Sequence, residues 1–342
     1  LDVLSAVLRA VRLTGAVYFE VHARAPWAAE TPPVSTICAD IMPDFEHVIA
    51  FHIVLDGRCW VQLTDQADSA VRMEAGDVVI FVGGDGHIMS AERGQRAVVD
   101  LGVYRRTRDR PLPFVFKEFG GNGEPTHLAC GYLGCDARPF NPILEALPRM
   151  MLVHAREGGI NLTQDLIRAA LRESEQPRAG GETILSKLSE LMFLQAVRQH
   201  IDGLPAESTG WLSGLRDRHV GMALRLMHAR PAERWTIDAL AREVGLSRSA
   251  FAERFTQLMG VPPMQYLGNW RLQLAAQLLE RRGVSIAQAA GEVGYESEAA
   301  FNRAFKKQVG MPPGSWRRSR MSAVPGKHAL LPPAPPGIER AQ

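Results

Sequence analysis

Cys130 and Cys135 bracket the tetrapeptide Gly-Tyr-Leu-Gly, and His127 stands three residues upstream. Read as a loop, a segment with two glycines is flexible enough to turn both sulfurs to one side. Thiolates beside a histidine suit a soft or borderline ion, and zinc fits that donor set in a reducing compartment. With His127 or His87 completing a partial shell, the candidate metal residues are Cys130, Cys135, His127 and His87, and zinc is the candidate cofactor. The competing reading makes both cysteines small buried hydrophobes. A different chemistry is written in the last third. There two short helical patterns oppose their phenylalanines with Arg248, Ser249, Ala252, Glu253 and Thr256, and then with Glu298, Ala299, Asn302, Arg303 and Lys306. Small and polar side chains near a helix N-terminus are what a groove-reading helix presents to base edges.

The elements that must position those side chains repeat. Ile237 aligns with Ile286, Glu243-Val244-Gly245 with Glu292-Val293-Gly294, and Ser247 with Ser297. Phe251 and Phe255 then align with Phe301 and Phe305, Gly260 with Gly310, and Pro262-Pro263 with Pro312-Pro313. The offset moves from 49 to 50 because the second unit has one extra residue in its turn. In each unit a capped helix ends at a glycine suited to the left-handed conformation, and Ser247 or Ser297 caps the next helix. Leu246 and Phe251 have the spacing of a hydrophobic staple. Two helices joined by a short glycine-containing turn make a helix-turn-helix. The bland alternative is a helical repeat that only packs, but a solenoid needs three or more units and this chain has two. Between the units, residues 264–282 read as one helix of roughly 25 Å. That spacer is long enough to set two reading helices in successive major grooves, about 34 Å apart.

The chain has 342 residues, 46% of them apolar and 22% charged, which predicts two globular domains and argues against disorder. No run approaches the ~18 apolar residues of a membrane span. The first fifteen residues form an amphipathic helix pattern in place of a signal peptide, so a cytoplasmic protein is expected. Leu1 reads as a start codon translated literally. Four scattered cysteines suit a reducing compartment. The net charge of +2 hides an asymmetry: residues 214–320 hold 17 Lys/Arg against 9 Asp/Glu, a net of +8. A basic third on an acidic remainder points to a polyanionic partner.

Before that third, residues 47–63, 76–91 and 96–104 read as strands broken by Asp-Gly and Gly-Gly turns, as an antiparallel barrel or sandwich requires. From Pro142 the period becomes helical, with helices over 161–174 and 182–201. The polar 202–210 stretch reads as an interdomain linker. The boundaries are therefore 1–141 for a β-barrel, 142–201 for a helical segment, 202–213 for the linker, 214–320 for the double helix-turn-helix, and 321–342 for a disordered tail. His154, His200, His219 and His228 sit in helical patterns as surface or packing residues.

From about Gly214 to Arg318 the chain resembles the AraC/XylS family of bacterial transcription regulators, on the segments 235–272 and 285–317. The resemblance implies a partner in double-stranded DNA, contact with RNA polymerase, a small-molecule effector and a homodimer. It also implies base-facing roles for Ser249, Ala252 and Glu253, and for Glu298, Ala299, Asn302 and Arg303. Arg248, Arg254, Lys306 and Lys307 are the implied phosphate contacts. Upstream, "FHIVLDG" and "GDVVIFVGGDGH" resemble the cupin barrel with which many of these regulators sense, followed by a helical dimerisation region. The family usually has Pro near Val82 or Gly86, and this chain has neither. An enzymatic cupin would bring several histidines and a glutamate to a metal inside the barrel. His87 stands where the last of these would be, but His47 and His52 are an odd number of residues apart and should face opposite sides. The fold expected is thus a cupin-like β-barrel with a helical dimerisation segment, followed by an all-α double helix-turn-helix. A cupin metalloenzyme fused to a DNA-binding domain is the alternative.

Overall fold

The computed structural model describes residues 2–104, 114–154, 162–176, 178–205 and 207–322. Helix α1 (Val3–Ala10) leads into β1 (Thr14–Arg24) and β2 (Ala28–Thr31). A single 3-10 turn and α2 (Cys38–Ile41) precede β3 (His47–Asp56), β4 (Arg58–Leu63), β5 (Gln66–Glu74), β6 (Val78–Phe81) and β7 (His87–Ser90). Then come β8 (Phe114–Gly120), β9 (Pro125–Cys135), α3 (Pro142–Ala146) and β10 (Met150–Val153). Helices α4 (Leu162–Glu175) and α5 (Gly181–Gly203) end the first domain. The second comprises α6 (Trp211–Arg216), α7 (Arg218–Ala229), α8 (Ile237–Glu243), α9 (Arg248–Met259), α10 (Pro263–Glu280), α11 (Ile286–Glu292), α12 (Glu298–Val309) and α13 (Pro313–Ser322).

Among the described residues, ten strands form two sheets, one ordered β10-β6-β3-β9-β1-β8 and the other β2-β7-β4-β5. All pairings are antiparallel except β1 with β8, which is parallel. Strand alternation sorts the apolar residues. Phe19, Val48, Ala50, Val61, Met89, Leu128 and Tyr132 fill the space between the sheets. Ile49, Phe51, Ile53, Ile80 and Leu133 face outward, into a second core with α1, α5 and the first half of the helical domain. Gly15 lets α5 lie directly on β1, because a Cβ there would fall 2.7 Å from that of Ser189.

Three expectations need correction. Residues 96–104 are not a strand: 95–100 are irregular and Leu101–Tyr104 is a 3-10 turn. Tyr104 turns inward, where its ring meets Phe19 edge-on at 5.8 Å. The stretch 142–201 is not wholly helical, because β10 pairs along β6; an apolar run of four carries no period to identify it. The Cys130–Cys135 segment is no loop but the end of β9. In addition, the 202–213 stretch overlaps the ends of two helices, and Trp211 and Leu212 are buried. The tail from 323 onward lies outside the described residues.

In the helical domain the four caps expected from the sequence are formed. Thr236, Ser247, Ser285 and Ser297 accept hydrogen bonds from backbone N–H groups of α8, α9, α11 and α12. Gly294 combines a φ of +89° with a backbone approach of Ala232 that leaves no space for a Cβ. Phe251, Phe255, Tyr266, Leu267 and Trp270 belong to the core shared with the first domain. Phe301, Phe305, Leu272, Ala276, Leu279 and Trp316 form a separate one. Helix α10 is buried in the first core at one end and the second at the other, so it holds the two units as a rigid rod.

Candidate nucleic-acid interface and sensor cavity

The burial of the phenylalanine pairs orients helices α9 and α12. On α9, Arg248, Ser249 and Glu253 are exposed and Ala252 is half-buried; on α12, Glu298, Ala299, Arg303, Lys306 and Lys307 are exposed and Asn302 is half-buried. Two of the arginines are engaged within the chain. Arg254 grips Asp217, the residue that caps α7, through Nε at 3.1 Å and also through Nη2. Arg248 lies 3.3 Å from Asp238. Arg303, Lys306 and Lys307 form no ion pair among the described residues. An open groove of about 450 Å³ runs beside α12, lined by Asn302, Arg303 and Lys306 with Ser315 and Arg318 of α13. Three cations and a helix N-terminus around one groove suit a phosphate. Ser315 and Arg318 were not singled out from the sequence, although the basic run 317–320 was the available signal.

Between the sheets lies a cavity of about 160 Å³, lined among others by Phe19, Trp27, His52, Tyr104, Cys130 and Tyr132. His52 and His87 are both buried, with their Nε2 atoms 2.6 Å apart. Burial pushes the imidazole of His87 down to about 4, and burial followed by the neighbouring His87 holds His52 well below its ordinary range. Both rings are therefore neutral at pH 7. Nδ1 of His87 lies 2.9 Å from the Asp85 carbonyl, which can only accept, so it carries the hydrogen and leaves Nε2 an acceptor. His52 must then donate from Nε2. Its Nδ1 is left a buried acceptor without a partner among the described residues.

The four residues proposed for zinc do not converge. Cys130 points between the sheets, and Cys135, five residues on, joins the outer core. An odd separation on a strand sends the two side chains to opposite faces. His127 shares the outer face with Cys135 but lies eight residues away along β9, about 26 Å at strand rise. His87 spends its two nitrogens on Asp85 and His52. Burial raises the Cys130 thiol and pushes those of Cys135 and Cys59 up to about 12, so they stay protonated and unreactive. The described group that does converge is Glu20, His22 and His127. Sequence reading missed Glu20 and His22, though Glu-x-His on a strand places both on one face.

A buried polar seam joins the two domains. Gln273 of α10 accepts from the Phe140 N–H at 2.9 Å and donates to the Ala10 carbonyl at 2.8 Å. Gln277 also donates to Ala10, at 3.0 Å. Arg12 chelates Asp136 at 2.6 and 2.7 Å, and Arg320 of α13 reaches Asp136 at 3.0 Å and Glu46 at 3.3 Å. Glu280 sits 3.5 Å from both arginines.

A β-sandwich followed by two capped helix-turn-helix units on one rigid helix defines a DNA-binding regulator with an attached cupin domain. Residues 2–202 match the family described as "Cupin", and residues 240–319 the one described as "Helix-turn-helix domain". The chain is 31% identical to an AraC-like transcription regulator of Streptomyces lividans, over 80% of this chain and 88% of that protein. It is 28% identical to the HTH-type transcriptional regulator AlkR of Acinetobacter baylyi, over 93% and 99% of the two chains. A solved AraC-type DNA-binding domain from Chromobacterium violaceum is 30% identical, covers 30% of this chain and 91% of its own, and superposes with a TM-score of 0.29. The chain belongs to the AraC-like family of transcription regulators, with an N-terminal cupin domain and a C-terminal helix-turn-helix region that binds double-stranded DNA. Its relatives are regulators, which sets aside the metalloenzyme alternative. No described helix is long and apolar enough to cross a membrane.

Proposed function

We propose that this regulator responds to a small, mainly apolar molecule carrying one hydrogen-bond donor, held in the cavity between the sheets. The carrying observation is Nδ1 of His52, a cavity-lining residue, which has no hydrogen-bond partner among the described residues, in a mainly apolar lining that includes Phe19, Val21, Trp27 and Leu128. A buried acceptor left unpaired costs about 1–3 kcal/mol, which a ligand donor removes. Cys130 and Tyr132 line the cavity from β9, and that strand runs straight into Asp136, the hub of the interdomain ion cluster. Displacing β9 thus alters the hold on α13 and, through it, the reading units. On DNA, Ser249, Ala252 and Glu253 with Glu298, Ala299, Asn302 and Arg303 face bases. Arg248, Lys306, Lys307 and Arg318 face phosphates, while Arg254 serves chiefly to brace α7.

RNA polymerase is the partner in the output. A second copy of the chain pairs through α5, where Ile184 and Leu191, seven residues apart, are exposed at 44% and 48%. Leu191→Glu should convert the sedimenting dimer to monomer, and an unchanged sedimentation coefficient would contradict that pairing. The effector reading is tested by thermal shift and calorimetry with phenol, and with anisole, which lacks the donor. Phenol should bind about fivefold or more tighter, matching one hydrogen bond of about 1 kcal/mol. His52→Phe should erase the difference. Equal binding of the two probes to the wild-type chain would refute it.

A further inference from the structure

On the outer face of the large sheet lies a polar cluster that neither the DNA-reading surface nor the cavity uses. His22 and His127 are direct partners in the β1–β9 ladder, and Glu20, two residues before His22, shares their face. The two imidazoles stack, with centroids 4.0 Å apart and planes 20° from parallel. Oε1 of Glu20 lies 2.9 Å from Nε2 of His127 and 3.2 Å from Nε2 of His22. One donor atom from each of the three falls within 4.8 Å of the others. Around a tetrahedral ion with ligand bonds of about 2.0–2.1 Å, neighbouring donors stand about 3.3 Å apart. Two edges of this triangle already have nearly that length. The Glu20 side chain is 9% exposed, His127 19% and His22 40%, so the carboxylate forms the floor and His22 the side open to solvent.

We propose that Glu20, His22 and His127 form a binding site for a divalent transition ion of the zinc class, with the fourth position left to water. Two imidazoles and a carboxylate are a borderline donor set suited to zinc, cobalt or nickel and poorly suited to calcium or magnesium. Both strands are central in the sheet, so the donors rest on rigid elements. A bound ion would tie β1 to β9 on one face while Leu128 and Cys130 of the same strand line the cavity on the other. Ion occupancy and the shape of the cavity wall are thereby linked.

The test uses the full chain, stripped with chelator and titrated with Zn²⁺ by calorimetry and with Co²⁺ by absorption. One ion per chain is expected, with a higher melting temperature and cobalt ligand-field bands that lack a thiolate charge-transfer band. His22→Ala and Glu20→Gln should each weaken binding at least about tenfold, roughly 1.4 kcal/mol. His22 is exposed enough that its variant tests the site even if the Glu20 variant fails to fold. Cys130→Ser/Cys135→Ser should bind as the wild type does. No ion on the wild-type chain, binding unchanged in His22→Ala, or binding lost in the cysteine variant would each overturn the assignment.

Discussion

Acidification should destabilise the cupin domain through the His52–His87 pair, and the size of the effect follows from its burial. The His87 imidazole titrates at about 4 in the folded chain, whereas an unfolded chain takes up that proton near 6.5. Because the folded value is the lower one, the unfolded state binds more protons between these limits. Stability is therefore full above about pH 6.5 and is lost as pH falls towards 4. Between pH 7 and pH 5 this ring alone accounts for about 2 kcal/mol, roughly a twentyfold change in the folding equilibrium. His52 shifts in the same direction and adds to the loss. His228, which stacks on Trp270 and is pushed by burial down to about 3, contributes a similar slope from the other domain. The comparison that isolates the pair is calorimetric unfolding of the wild-type chain and of His52→Gln/His87→Gln at pH 7, 6 and 5. The variant should lose clearly less stability on acidification. Equal losses in the two proteins would refute the neutral, proton-ordered pair, and with it the partnerless acceptor on which the effector reading rests.

Asn302→Ala or Arg303→Ala should relax preference at one or two base positions by about 1–3 kcal/mol, measured as binding to cognate and random duplexes. Equal loss on both duplexes would contradict base reading. Lys307→Ala and Arg318→Ala should instead weaken all sequences alike and lower the salt dependence by about one ion each; an unchanged salt slope would exclude a phosphate contact. Gln273→Leu leaves the Phe140 N–H buried without its acceptor, which should weaken domain docking by about 1–3 kcal/mol and split calorimetric unfolding into two transitions. A single transition at the wild-type temperature would show that the seam does not hold the domains together.

Legibility followed the range of the interactions. The double helix-turn-helix could be read from the chain because its signals are local: a cap, a glycine and two phenylalanines four residues apart settle each unit within about twenty residues. Strands β3, β4, β6 and β7 were visible for the same reason, through β-branched runs between glycine turns. β10 was not, because Met150–Val153 becomes a strand only by pairing with β6, some seventy residues away. The cysteine pair misled because the glycines of residues 130–135 suggested a loop, whereas pairing with β1 and β3 holds the segment extended.

Sequence by itself determined that this chain carries two helix-turn-helix units on one rod, since helix periodicity, capping and charge are properties of neighbouring residues. It also determined which side chains those units expose, because the buried phenylalanines leave one face free. Tertiary structure alone decided which distant groups meet: His52 with His87, Glu20 and His22 with His127, Gln273 with Ala10 and Phe140. Those meetings depend on strand order and on how the domains dock, and no local spacing encodes either. The side on which each cysteine lies was settled in the same way, by the parity of a strand whose neighbours lie far along the chain.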